Sequence, residues 1–236
     1  MSADDAAPGQ PRAEVTSWRE LAVARSLDSA RVRAEKRVQR FLDAAVELIN
    51  SERGRDFTVQ EVVERSGQSL RSFYQYFTGK HELLLALFED AVRATSEHLE
   101  EVVAAEEPGL PRLHRCVVEY YKICRPGPKG QAPETVAALR AMGEFAQQLL
   151  TEHPKEAATA FVPLVTLFDR VLGEAADAGA IRPDLTRGRL AGVVLQAIMF
   201  NAFATTISST LVRSDDAAAD AEELWDLLLN GMARRS

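Results

Sequence analysis

Apolar and polar positions alternate along this chain at helical spacing. Val38, Phe41, Leu42, Ala45, Val46 and Ile49 recur at intervals of three and four, which places them on one helix face. Helix formers dominate from Val15 to Arg53 without a proline, and Trp18, Leu21, Ala22 and Arg25 suggest an amphipathic first piece. "ERGRDF" stops that helix at Gly54. Thr58 followed by Glu61 reads as a capping box, and Gly67 closes the short helix "TVQEVVERSG". Ser69 caps a second short helix. Thr78 caps a third, which carries Leu83, Leu84, Leu87 and Phe88 on one face and runs to about Ala105.

Pro108 and Pro111 break the pattern. Helices then follow over residues 111–125, 133–152, 154–178, 184–210 and 219–233, with "RPGPKGQAPE" as a loop and Gly179 and Pro183 in a turn. No strand alternation and no internal repeat is visible, so the fold class is all-α. Residues 1–13, rich in Ala, Asp, Pro and Gln, are expected to be disordered.

The stretch "SGQSLRSFYQYFTGKHELL", residues 66–84, holds four aromatic rings, Phe73, Tyr74, Tyr76 and Phe77. On a helix over 69–77, Leu70, Phe73 and Phe77 share one side with Tyr74 at its border. Ser69, Ser72, Gln75 and Tyr76 fall opposite, beside Arg71. The first set suits a core, and the second suits base edges and phosphate oxygens. Two short helices joined by a glycine turn need the long helix behind them. Three helices so arranged form the helix-turn-helix layout, whose last member enters the major groove. A plain amphipathic surface helix has the same outer face.

The formal net charge of −7 over 236 residues does not mark a general polyanion binder. Residues 30–80 carry ten Lys and Arg against seven Asp and Glu, a local +3 that leaves −10 elsewhere. A basic patch on an acidic protein is compatible with nucleic-acid binding. Cys116 and Cys124, eight residues apart on one helix, lie roughly 12 Å apart and beyond disulfide reach. No Cys/His spacing matches a zinc site, and no metal or cofactor is expected. The opening "MSADDAAPGQPR" lacks the features of a signal peptide, and a reducing, cytoplasmic location is expected. Residues 190–212 contain no charge over 23 positions. Gln196, Asn201, Thr205, Thr206, Ser208, Ser209 and Thr210 favour a helix buried in a core or between subunits over a membrane span.

Residues 38–84 resemble the DNA-binding domain of TetR-family transcriptional regulators through Thr58, Val62, Val63, Ser66, Gly67, Ser69, Phe73, Tyr74, Phe77, Lys80 and Leu83. The sequence departs from the family pattern at Gln68, where an apolar residue is usual, at Gln75, where an aromatic residue often sits, and at Tyr76, where His is common. The resemblance implies an N-terminal three-helix DNA-binding domain over 31–80, preceded by an extension over 1–30. A larger C-terminal helical domain over 81–236 would bind a ligand and dimerise.

It further implies roles for single residues. Thr58 would hold a phosphate at its helix start, and Gln60 would reach a base or phosphate. Gln68, Ser69, Leu70, Arg71, Ser72 and Gln75 would line the groove face, with Arg71 matched to guanine. Tyr74 and Tyr76 would donate hydroxyls to phosphates, and Lys80 would pair with one. Arg31, Arg33, Lys36 and Arg37 would follow the backbone or enter a minor groove, or simply form a solvated basic face. The partners implied are a palindromic operator in double-stranded DNA, a second copy of the chain and a small, mostly apolar effector. Candidates for the effector site are Tyr120, Tyr121, Met142, Phe145, Phe168, Met199, Phe200 and Phe203, with Asn201 as a polar anchor; each serves equally as core. The helix 154–178 and the uncharged helix have enough apolar surface for a four-helix bundle between two subunits.

Two other classes compete. His81, His98, His114 and His153 have no catalytic motif around them, and "GPKG" is too short for a phosphate loop, which argues against an enzyme. A helical scaffold that binds a partner and has lost its operator fits the same pattern. Charge reversal at Arg71 and Lys80 separates it from a repressor.

Overall fold

The structure is a computed structural model and describes residues 17–51, 56–125, 133–182, 184–208 and 216–232. For residues 19–22, 133–140, 187 and 203–208 it describes the backbone. The expected disorder of 1–13, the stop at Gly54, most of the 125–134 loop, Pro183 and the end of the uncharged helix lie outside the described residues. Among those residues there are ten α-helices and no β-strand. The chain divides into two compact units, Met1–Arg40 and Phe41–Ser236, and helix α1 (Trp18–Ile49) contributes to both.

In the first unit α1 is solvated. Val23, Leu27 and Val32 are exposed, as are Arg31, Arg33, Lys36 and Arg37. The Arg31 Nε donates to Glu35 Oε1 at 2.8 Å, one turn along the same face.

In the second unit the last turns of α1 bury Phe41, Leu42, Ala44, Ala45 and Ile49. Val46, counted with that stripe from its spacing, is instead 44% exposed. Helices α2 (Val59–Ser66) and α3 (Leu70–Tyr74) follow, then the long α4 (Lys80–Ala104). Along α4 the buried row Leu83, Leu84, Leu87, Phe88, Val92, Ser96, Leu99 and Val103 keeps helical spacing throughout. The expected Thr78 cap is absent: Gly79 is the N-cap and has no side chain to offer. The Glu82 carboxylate reaches back and accepts from the Thr78 backbone N–H at 2.7 Å. Hydrogen bonding from the Thr78 side chain, and after it this backbone bond, holds the carboxyl below its ordinary range.

Helix α5 (Leu110–Cys124) packs against α4 and against three later helices, α8 (Val162–Asp177), α9 (Arg187–Ser208) and α10 (Ala217–Met232). It buries Leu113, Cys116, Val117, Val118, Tyr120 and Tyr121. Arg112, near its start, finishes α4: its guanidinium donates to the carbonyls of Val103 (3.1 Å) and Glu106 (2.9 Å) and to Glu174 on α8 (2.9 Å). Between α5 and α8 lie α6 (Pro133–Glu152) and α7 (Pro154–Ala160). A single helix over 154–178 is not what forms. Phe161 ends α7 and starts α8, with Pro163 in the first turn of α8. Proline has no N–H, and its ring collides with the carbonyl four residues back, so one continuous helix is excluded there. Gly179, at φ 76°, closes α8, and the N–H of Ala180 returns to the Ala175 carbonyl at 3.0 Å.

Candidate nucleic-acid interface

The interface is built from caps. Thr58 has extended backbone, and its hydroxyl accepts from the Glu61 N–H at 3.2 Å while the Glu61 carboxylate accepts from the Thr58 N–H at 2.7 Å. Helix geometry still leaves the N–H groups of Val59 and Gln60 without an acceptor inside α2, turned to solvent at its start. At the other end Gly67 adopts φ 64°, ψ 26°. Its N–H reaches Glu64 O and the N–H of Gln68 reaches Val63 O, both at 3.3 Å. That double return aims the chain into α3.

Helix α3 is five residues long, shorter than the 69–77 expected from spacing. Gln75 is its C-cap, and Tyr76 and Phe77 continue as a turn, both N–H groups reaching Phe73 O at 3.0 Å. A helix this short has no stability of its own. Ser69 caps it by accepting from the Ser72 N–H at 3.1 Å. Rings fix it from beneath: Phe73, fully buried, meets Phe41 edge-on at 5.4 Å and Phe77 at 5.4 Å, and Phe41 meets Phe77 at 6.2 Å. Arg65 on α2 pairs with Glu47 on α1 at 3.0 Å.

Outward from this aromatic platform stand Ser69, Leu70, Arg71, Tyr74 and Gln75, all exposed. Leu70 was expected beside Phe73 and is instead 43% exposed, because the helix begins at Leu70 and its first turn overhangs the core. Tyr74, expected at the border, is 56% exposed. Gln68, Ser72 and Tyr76 are half-buried, and the Ser72 hydroxyl lies 3.5 Å from Gln68 Oε1. Gln60 is exposed and donates to Glu64 at 3.0 Å. The Lys80 ammonium donates to the Phe57 carbonyl at 2.5 Å and sits 4.4 Å over the Phe57 ring. Lys80 therefore pins the start of α4 to the entry of α2. Phe57 was missed in the sequence, although an apolar residue just before a capping box is the mark of a hydrophobic staple, and both Phe57 and Val62 are buried.

The residues expected to line an effector site separate into two groups. Tyr120, Tyr121, Phe145 and Phe168 are buried, and Met142 and Met199 are half-buried. Tyr120 and Phe168 meet edge-on at 5.6 Å. Burial, with a hydrogen bond to Cys124, raises the Tyr120 phenol well above its ordinary value. Burial also pushes the thiols of Cys116 and Cys124 up to about 12. Phe200 and Asn201 depart from the expectation: both are exposed, Phe200 on the side of α9 that carries exposed Val193 and Asn201 at the edge of the buried row Ala191, Val194, Leu195, Ile198 and Ala202. The Phe203 side chain lies outside the described residues.

A capped short helix, a left-handed glycine turn and a second short helix whose polar side stands clear of an aromatic core define a helix-turn-helix DNA-binding protein. Residues 41–87 match the family described as bacterial regulatory proteins, tetR family. The chain thus carries, at residues 41–87, a DNA-binding segment of the kind that family model describes. It is 22% identical over 194 residues to the fatty acid metabolism regulator protein of Bacillus subtilis (strain 168), covering 81% of this chain and 93% of that one. Among solved structures, FadR from Bacillus subtilis in complex with stearoyl-CoA superposes with a TM-score of 0.63 at 18% identity, over 82% of this chain and 98% of the other. FadR from Thermus thermophilus in complex with lauroyl-CoA gives 0.60 at 21% identity, over 84% and 96%. These likenesses extend the shared fold across the C-terminal helices. No helix among the described residues is long and apolar enough to cross a membrane.

Proposed function

We propose that two copies of this chain bind a palindromic operator and release it when the C-terminal helices take up a long-chain acyl thioester. The observation that carries the DNA reading is the exposed row Ser69, Arg71 and Gln75 above the buried Phe73. Arg71 offers a planar fork to guanine O6 and N7, while Ser69 and Gln75 reach neighbouring base edges. Leu70 contacts a thymine methyl. Tyr74 and Tyr76 donate to phosphates, and the start of α2 at Thr58 and Gln60 takes another through its unshared N–H groups. Gln68 and Ser72 hold the turn. Lys80 adds charge close to the backbone while staying anchored on Phe57. Arg31, Arg33, Lys36 and Arg37, all exposed, follow phosphates beside the operator. On this reading residues 31–80 act as the DNA-binding domain and 81–236 as the effector and dimer domain, in the cytoplasm.

The dimer reading rests on exposed apolar residues confined to one side of two helices. Val162 and Val165 on α8 are 53% and 37% exposed, and Val193 and Phe200 on α9 are 50% and 42% exposed. Paired with their copies they would form the four-helix bundle that the uncharged sequence suggests, with Phe200 on that face and Asn201 at its edge. The effector class follows from the two FadR structures solved with acyl-CoA and from the aromatic interior around Tyr120, Phe145 and Phe168.

Anisotropy titration of labelled DNA flanking the protein's own gene tests this. Binding should weaken steeply between about 50 and 200 mM salt, as counterion release requires. Arg71→Ala should lose about 5–150-fold in affinity, the equivalent of about 1–3 kcal/mol for one bidentate base contact. An acyl-CoA of C12 to C18 should release the DNA, and free CoA should not. No binding to any flanking fragment at low salt would favour the scaffold reading.

A further inference from the structure

The helix that leads out of the DNA-binding segment carries, at its second residue, an imidazole that meets two potential metal ligands from elsewhere in the fold. His81 Nε2 lies 2.6 Å from Glu156 Oε2, and His153 Nδ1 lies 3.7 Å from Glu156 Oε1. The two imidazole rings stack with centroids 4.4 Å apart at 34°. One ligand atom from each of the three residues falls within 4.8 Å of the other two. His153 is the N-cap of α7 and Glu156 stands in its first turn, so two ligands come from one turn and the third arrives from α4.

We propose that His81, His153 and Glu156 bind a divalent transition metal of the Zn²⁺ class and thereby tie the first turn of α4 to α7. The donor set is two imidazoles and one carboxylate, which suits Zn²⁺, Co²⁺, Ni²⁺ or Cu²⁺ and not the oxygen-seeking Mg²⁺ or Ca²⁺. Ligand bonds of about 2.0–2.2 Å at tetrahedral angles put donor atoms roughly 3.3–3.6 Å apart. The separations here straddle that value. Glu156 must step back from His81 and the imidazoles must close slightly, which side-chain rotation supplies without moving a helix. All three side chains are between about a third and two-fifths exposed, so an ion can enter and a fourth position faces solvent. The amino ends of α4 and α7 both point their partial positive charge at the site, which makes the Glu156 carboxylate the indispensable ligand.

The position gives such an ion a regulatory lever. Lys80, the residue before His81, donates to Phe57 O at the entry of α2. The first turn of α4 is thus held by the helix-turn-helix through one residue and by α7 through the next. An ion on His81 fixes the second attachment, and a coupling of about 5–150-fold on operator affinity follows if α4 moves between states. This consequence rests on the DNA reading above; the ion site does not.

The test uses the full chain, freed of metal with a chelator. Zn²⁺ titration against a chromogenic competitor should give one site per chain with a dissociation constant of about 10 µM or tighter. Co²⁺ should show the intense visible bands of a tetrahedral site. His153→Gln and Glu156→Gln should each weaken binding about tenfold or more, and Glu156→Gln the most. His98→Gln, some 25 Å further along α4, should bind as the parent does. Circular dichroism shows whether each variant is folded, and His153, half-buried and making no side-chain cap bond to α7, is the substitution expected to leave the fold intact. No saturable Zn²⁺ site, or binding that survives both substitutions, overturns the proposal and leaves the triad as a His–Glu hydrogen bond. Operator affinity is then measured with and without Zn²⁺. A change in the parent that is lost in His153→Gln supports the lever, and an unchanged affinity despite bound Zn²⁺ overturns it. Failure to bind DNA under either condition counts against the operator reading, because the ion titration contains no DNA.

Discussion

Two glycines flank the recognition helix and offer an internally controlled measurement. Gly67 sits at φ 64°, while Gly79 is fully extended at φ 178°. A Cβ built at either position meets nothing within 4 Å, so neither substitution to alanine makes a steric clash. What remains is backbone conformation. Alanine in the left-handed region costs about 1–2 kcal/mol, and stiffening the unfolded chain returns about 0.4–1 kcal/mol. Gly67→Ala should therefore lose about 1 kcal/mol, whereas Gly79→Ala carries no left-handed penalty and sets the same gain against the poorer standing of alanine at an N-cap. The left-handed penalty, less that N-cap cost, is the gap between the two variants; the penalty alone is worth about 2–8 °C in melting temperature for a chain of this size. Gly67→Asn should fall between them, since asparagine tolerates this conformation best among side-chain-bearing residues. Thermal melts and urea midpoints of the three variants decide it. Equal shifts for Gly67→Ala and Gly79→Ala would refute the claim that the turn depends on the left-handed glycine.

Phe73→Ala removes the ring that carries α3 and should cost about 3–5 kcal/mol by urea denaturation, with operator binding abolished. Arg112→Ala strands two carbonyls and takes one of two guanidinium partners from Glu174, which keeps Arg170 at 3.2 Å; because the pair is about one-fifth exposed, the expected loss is nearer about 2 kcal/mol, partly restored by Lys. The raised thiols of Cys116 and Cys124 set a pH dependence. Above about pH 9 the unfolded chain gives up protons that the folded chain keeps, so stability is fully present below that value and falls as pH rises toward 12. Urea midpoints of the parent and of Cys116→Ala across that range should converge if the slope comes from this thiol.

Much of the DNA-binding segment was legible because its signals are local. The pairing of Thr58 with Glu61, glycine at 67 and serine at 69 each fix backbone geometry within a few residues, and all three took the form expected. The wheel over 69–77 failed where locality ended. Helical periodicity assumes a helix long enough to have faces, and α3 has barely more than one turn, so Leu70 and Tyr74 went outward and Tyr76 inward. Thr78 was misread as a cap because Glu82 satisfies its N–H from the other direction. The break at Phe161 was legible in Pro163 and passed over because the apolar spacing runs through it unbroken. Burial of Ile198 and exposure of Phe200 could not be separated by spacing, since α9 is apolar on nearly every side. His81 and His153 lie 72 positions apart, so their meeting is a property of the fold alone.

The segment between α4 and α5 looks like an ordinary surface spacer of the kind that tolerates added residues. It is nothing of the sort, because one guanidinium on the far side of it reaches back across to complete the helix before it, and forward to a third helix. The span from Val103 to Arg112 is thereby metered to a fixed length. Extra residues there would unhook three elements at once, and a designer in search of a place to graft a tag or a reporter should look elsewhere on this molecule.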